Sequence, residues 1–185
     1  MSKTTKIEEI LGVKFENSQL LTQALTHRSY LNEEPGTNES NERLEFLGDS
    51  VLSILVSTEL FKRFPSFPEG KLTNLRSMLV RAQTLSKIAG LLGLGEFLLM
   101  SRGEQSCGGR QNGSILAETF EAVLGSIYLD QGLETAKTFL EKNLFPLIEE
   151  LASDKTFYDF KSRLQEIIQE KNKVAPTYKV LNEAG

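Results

Sequence analysis

One cysteine and one histidine occur in 185 residues, and these scarcities remove whole classes of chemistry. Cys107 alone cannot form an internal disulfide, so the composition fits a reducing compartment. Set between Ser106 and two glycines, it has no second thiol with which to bind zinc and reads as an ordinary unpaired thiol in a loop. His27 has no companion either, which removes the usual nitrogen and sulfur metal ligands from consideration. Long apolar runs are also missing. Leu91 to Met100, the longest candidate, falls well short of the roughly 20 residues of a membrane span and carries Gly93, Gly95 and Glu96. Met1 to Lys6 has no apolar signal-peptide region, so a cytoplasmic protein without a membrane anchor is expected. Positive charge is in deficit: 21 Lys and Arg against 25 Asp and Glu leave a net charge of −4. That balance is awkward for a nucleic-acid partner, whose phosphates are usually met by Lys and Arg.

What the chain has instead is carboxylates in apolar helices. Asn41-Glu42-Arg43-Leu44-Glu45-Phe46-Leu47-Gly48-Asp49-Ser50 continues into Val51-Leu52-Ser53-Ile54-Leu55-Val56. At about 100° per residue, Glu42, Glu45 and Asp49 fall within roughly 60° of one another on one helical stripe. Buried carboxylates that close repel, and they require a metal ion, Lys or Arg beside them. The alternative is a surface helix whose acids pair with bases three or four residues away, but Arg43 is the only base inside the segment. Gly48 costs about 1 kcal/mol relative to Ala in a helix interior, which predicts a close approach to the backbone there. A second pair, Glu118 and Glu121, shares a face of the apolar run Ser114 to Ile127. Two helices presenting acids inward, without His or Cys, suit a hard cation such as Mg²⁺ or Mn²⁺.

These strings resemble the ribonuclease III family of double-stranded-RNA endonucleases. NERLEFLGDS is similar to that family's signature and SILAETFEAVLGSIYLD to its second acidic helix; Ala24 to Tyr30 and Glu69 to Arg76 match two further family segments. The resemblance spans about residues 5 to 150. It implies metal ligands at Glu45, Asp49, Glu118 and Glu121, with Asp49 and Glu121 as the catalytic core and Glu42 and Glu69 as further acids near the scissile strand. Glu118 stands where the family most often has Asp, which puts the metal geometry or preference in question. The resemblance further implies a homodimer with staggered cuts leaving 5′-phosphate and 3′-hydroxyl ends, and work in rRNA and mRNA processing and decay. Phe46 matches the family's dimer-interface aromatic; by pattern alone an ordinary core Phe fits equally well.

The expected architecture is an all-α endonuclease domain over residues 1–151, a linker at 152–157, and residues 158–185 as a fragment of an α+β double-stranded-RNA-binding domain. In that fragment Tyr158 to Glu170 reads as an amphipathic helix, and Pro176 to Leu181 as a strand. Resemblance places Ser162, Gln165 and Glu166 against an RNA minor groove. A lone strand lacks partners for its backbone groups, so truncation and poor order from about residue 172 are expected. Apolar recurrence predicts helices at about 5–11, 17–26, 40–63, 69–80, 82–92, 112–130 and 133–150, with caps at Asn17 and Ser40. Ser101 to Gly113, with four glycines, reads as a mobile loop beside the site; it lacks the Lys-Ser/Thr ending of a P-loop.

Two metal ions held by carboxylates can activate water and stabilise the leaving oxygen of an RNA phosphodiester, so no protein base is needed and His27 is expected to cap or pack. Lys71, Arg76, Arg81, Arg102 and Arg110 are scattered and read as solvated surface or as phosphate contacts. No small-molecule cofactor is implied. Two rival enzyme classes fit less well. All-α nucleoside triphosphate pyrophosphohydrolases also use Glu-x-x-Glu pairs, but they leave Leu47-Gly48-Asp49 unexplained. A di-iron bundle expects Glu-x-x-His pairs, and His27 has no acid three residues before it. An inactive RNA-binding relative would be expected to have lost acids, whereas every acid position here is filled.

Overall fold

The computed structural model describes residues 3–33, 39–153 and 168–173. Between residues 3 and 153 the α-helices are, in order, α1 (Lys3–Leu11), α2 (Ser18–Ala24), α3 (Glu42–Arg63), α4 (Glu69–Val80), α5 (Ala82–Leu91), α6 (Arg102–Ser106), α7 (Gly113–Asn143) and α8 (Leu147–Ser153), and residues 168–172 are helical as well. Among the described residues the only β-type pairing is a single parallel bridge between Thr26 and Leu99. The all-α expectation therefore holds. Residues 1–148 form one compact unit and residues 149–185 a second.

Helix α7 runs through the first unit. From Ile115 to Ile127 every residue is buried except Glu118 and Glu121, which are half-buried. A helix apolar on all sides belongs in a core, and α3 and α5 pack on α7 more extensively than any other helix pair. Phe120 and Phe139 meet at 5.5 Å between ring centroids, with Leu52, Leu85 and Leu140 fully buried in the same core. Gly132 interrupts α7 with φ 81° and ψ −177°, so the two predicted helices are there, separated at this residue. The second ends at Asn143 rather than about 150, because Pro146 has no N–H to continue the ladder and disfavours helical geometry at Phe145.

Other boundaries shift for local reasons. Asn17 caps α2 as predicted, its side chain accepting from Gln19 N at 3.1 Å. Helix α3 begins at Glu42 instead of residue 40; Ser40 still serves its end, accepting from Glu42 N at 3.4 Å and donating to Glu42 Oε2 at 2.7 Å. Residues 101–113 are not an open loop. Ser101 caps α6 by accepting from Glu104 N, and a 3₁₀ turn at Gly109–Gln111 leads to Asn112, which caps α7 through its side chain. Ala152 and Ser153, read as linker, lie in the last turn of α8. Most of the predicted helix at 158–170 and the whole strand at 176–181 lie outside the described residues, as do Ser162, Gln165 and Glu166 and the predicted poor order from 174 onward. No helix among the described residues is long and apolar enough to cross a membrane.

Candidate active site

The site exists because two backbones touch. Helices α3 and α7 run past each other in opposite directions, with Gly48 against Glu121 and Gly125 against Leu44. A Cβ on Gly48 would overlap the carbonyl oxygen of Glu121, and one on Gly125 would overlap that of Leu44. The close approach predicted at Gly48 is therefore present, and Gly125 is its counterpart on the facing helix.

This contact sets the acids of both helices against one another. Burial pushes the Glu121 carboxyl up from its ordinary 4.5 to about 7, with the charges of Asp49, Glu45 and Glu118 adding in that order. Glu45 is raised as well, first by burial and then by Glu118, Glu42 and Asp49. No Lys or Arg is among the groups that set either value. Among the described residues the groups that shift these two carboxyls are all like-charged, and each disfavours the ionised form of the others. One part of the sequence argument needs correction: Glu42 and Asp49 are exposed, and only Glu45 of the three α3 acids is partly covered. The α3 stripe lies at the edge of the core, where α7 shields one side of it.

A cavity of about 430 Å³ opens at this edge, lined by His27, Arg28, Asn41, Glu42, Glu45, Glu104, Asn112, Ser114, Ile115 and Glu118. Asp49 and Glu121 lie outside that lining but share its electrostatics through Glu45 and Glu118. His27 is 7% exposed. Its Nδ1 accepts from Ser29 N at 3.3 Å and meets Ser29 Oγ at 2.8 Å, while Ser29 Oγ accepts from Ser101 N at 3.0 Å. These bonds make His27 the cap of a 3₁₀ turn, as expected. The segment before it is pinned from two sides: His27 N donates to Leu99 O at 2.9 Å, and Asn41 N donates to Thr26 O at 2.8 Å.

Of the predicted acids, the structure brings together Glu42, Glu45, Asp49, Glu118 and Glu121. It does not bring Glu69. That residue is exposed in the first turn of α4, accepts from the Thr73 hydroxyl at 2.9 Å and lines no part of the cavity. Glu42 also accepts from the Ser40 hydroxyl at 2.7 Å and has the Arg28 guanidinium 3.9 Å away. The scattered bases are mostly engaged locally: Lys71 over the Phe67 ring at 3.6 Å, Arg76 on the Ser57 hydroxyl at 3.2 Å and Arg110 on the Gly95 carbonyl at 2.6 Å. Sequence reasoning passed over Arg28, Asn41, Glu104, Asn112 and Ser114. Position relative to the acids was the available signal for two of them, since Asn41 immediately precedes Glu42 and Ser114 lies four residues before Glu118.

Phe46 points away from all of this. It is 78% exposed, which removes the reading of an ordinary core Phe. Beside it lies a hollow of about 640 Å³ walled by Leu20, Gln23, Leu44, Leu47 and Leu129 among others.

Among the described residues, no three His, Cys, Asp or Glu side chains are grouped closely enough to hold a metal ion. In donor chemistry and mutual repulsion the acids suit a hard divalent cation; their side chains are not gathered on one point.

Comparison with known proteins agrees with the geometry. Residues 17–148 match the family model described as Ribonuclease-III-like. A Ribonuclease 3 of Geobacillus kaustophilus is 45% identical over 185 residues, which is all of this chain and 75% of that protein. The crystal structure of the nuclease domain of ribonuclease III from Campylobacter jejuni superposes with a TM-score of 0.71 at 41% identity, covering 83% of this chain and 99% of that one. A second structure of that domain, described for structural flexibility in a region involved in dimer formation, gives 0.70 at 43% identity, covering 78% of this chain and 95% of that one.

Proposed function

The chain belongs to the ribonuclease III family, and from that premise we propose that it is an endoribonuclease of double-stranded RNA. It hydrolyses phosphodiesters with divalent metal ions and leaves 5′-phosphate and 3′-hydroxyl ends. The observation that carries this reading is the contact of α3 with α7 at Gly48 and Gly125, which sets Glu45, Asp49, Glu118 and Glu121 close enough to raise one another's carboxyls.

Glu45, Asp49, Glu118 and Glu121 would hold Mg²⁺, or Mn²⁺ in its place. A metal held there would supply the activation of water and the neutralisation of charge on the leaving oxygen that phosphodiester hydrolysis needs. The protein's part is to present carboxylates from two helices fixed by backbone contact. Glu121, with its carboxyl at about 7, has the most to gain from a neighbouring cation and is the residue whose loss is most damaging. Glu42, tied to Ser40 and Arg28, acts as an outer acid. His27 walls the cavity with Nδ1 bonded to Ser29, a capping role that suits a reaction needing no protein base. Glu118 reaches one methylene further than Asp would, so the preference between Mg²⁺ and Mn²⁺ is set partly by this position.

Recognition rests on shape. A-form RNA exposes its 2′-hydroxyls in a shallow minor groove that a helical surface can follow with little sequence preference, which excludes DNA. Two copies of the chain supply one site per strand, with Phe46 of each copy entering the hollow beside Leu20 and Leu129 of the other. Residues 158–185 add RNA contacts through Ser162, Gln165 and Glu166. A cytoplasmic enzyme of ribosomal and messenger RNA processing and decay follows from this reading.

Incubation of a long RNA duplex with the chain and Mg²⁺, with EDTA and DNA-duplex controls, tests it. The expected products are short duplexes with 5′-phosphate ends in the Mg²⁺ reaction alone. Pyrophosphate release from nucleoside triphosphates, with the duplex intact, would instead identify the all-α pyrophosphohydrolase chemistry.

A further inference from the structure

Asn41 sits at the mouth of α3, one helical turn before Glu45, and lines the same cavity as Glu42, Glu45 and Glu118. It is 3% exposed. Its backbone is fully used, with N donating to Thr26 O and O accepting from Glu45 N, both at 2.8 Å. Its side chain is not. Although Asn41 occupies the N-cap position of α3, it makes no side-chain cap bond. Among the described residues its Nδ2 is buried and has no hydrogen-bond partner. A buried amide donor left unpaired is destabilising, and Asn is a residue type found mostly at the surface. An unpaired donor kept beside a cluster of carboxylates points to an acceptor that arrives in the working state.

That acceptor is a carboxylate of the cavity, not the substrate. Nδ2 lies beneath the protein surface, so a phosphate oxygen cannot reach it. Glu42 is already engaged by Ser40 and Arg28, and Glu118 stands on the opposite wall, on α7. Glu45 shares the face of α3 with Asn41 at i, i+4, the spacing at which amide and carboxylate side chains meet on a helix.

We propose that Asn41 is a positioning residue: with metal in the site, its Nδ2–H donates to the Glu45 carboxylate and fixes that oxygen pair for coordination. The inference rests on the metal-dependent reading of the site. Groups that orient metal-ligating carboxylates typically govern metal affinity or activity by about 10- to 100-fold.

The test uses Asn41→Leu, which keeps volume and removes the unpaired donor, with Asn41→Ala as a second variant against a folding failure of the first. Three quantities are measured on each variant and on the unaltered chain: the urea midpoint without metal, Mn²⁺ affinity from the electron paramagnetic resonance of free Mn²⁺, and kcat and KM on an RNA duplex. Asn41→Leu is expected to match or exceed the stability of the unaltered chain without metal, to bind Mn²⁺ about 10-fold or more weaker, and to lose kcat with KM for duplex unchanged. A variant that loses stability but keeps Mn²⁺ affinity and kcat within twofold overturns the proposal and makes Asn41 a packing residue. If the unaltered chain cleaves duplex and binds Mn²⁺ while both variants match it, the positioning role alone is wrong. If the unaltered chain does neither, the site reading fails and this inference with it.

Discussion

Gly48 lies against the backbone of Glu121 so closely that a Cβ on Gly48 would overlap the Glu121 carbonyl oxygen. The same crossing that buries α7 therefore decides how far apart the α3 and α7 acids stand. Packing and chemistry are one constraint here.

Gly48→Ala tests that constraint. The methyl group must push two helices apart, because what it meets is backbone and not a flexible side chain. Overpacking of a tight core costs about 1–3 kcal/mol, occasionally more. Urea unfolding is expected to show a loss of that size together with a large fall in metal-dependent cleavage. A change below about 0.5 kcal/mol with cleavage intact would mean that the helices separate freely and that their spacing does not set the site.

The pH dependence of stability follows from Glu121. Its carboxyl is raised in the folded chain from 4.5 to about 7, so over this interval the folded state binds more protons than the unfolded state. Stability therefore falls as pH rises from about 4.5 through about 7, and the full penalty remains above that. Glu121→Gln removes the charge. Without metal, the variant should have a higher Tm than the unaltered chain at pH 8, and the difference should vanish below pH 4.5. An equal Tm at pH 8 would show that burial and the neighbouring acids do not disfavour the Glu121 charge.

Much of the site was readable because its signals are periodic. Acids three and seven residues apart in an apolar run put Glu42, Glu45 and Asp49 on one stripe, and Gly48 marked the helix contact. What periodicity could not give was depth. Glu42 and Asp49 are exposed because α7 covers only one side of α3, a tertiary fact absent from either helix alone. Glu69 was grouped with the acids by resemblance, but it is exposed in the first turn of α4 and lines no part of the cavity. The 101–113 segment was misread because its order comes from long-range bonds: Ser101 N donates to Ser29 Oγ, and Arg102 N to the Glu33 carboxylate at 3.0 Å.

Phe46→Asp addresses assembly. Phe46 is 78% exposed and buries little in its own chain, so the variant should still fold, with a Tm lowered by no more than the lost association contributed. Sedimentation should then show a monomer for the variant and a dimer for the unaltered chain, if the proposed interface is correct. A dimer that survives the substitution would remove Phe46 from the interface.

Gly132 divides α7 at φ 81° and ψ −177°, a region open essentially to glycine alone. Gly132→Ala should cost about 1–3 kcal/mol in urea unfolding, and with the acids distant in sequence it should leave the Mg²⁺ dependence of cleavage unaltered. A neutral substitution would mean that the kink relaxes into continuous helix.

Glu121→Gln tests the central claim most directly, through single-turnover cleavage of an RNA duplex at saturating Mg²⁺ with duplex binding measured alongside. The expected result is a fall in cleavage of about 10²-fold or more, the scale on which a lost electrostatic group in an active site is felt, with duplex affinity largely kept. Near-normal turnover in that variant would contradict the account, because the carboxyl that burial and the neighbouring acids raise to about 7 would then have no part in the reaction.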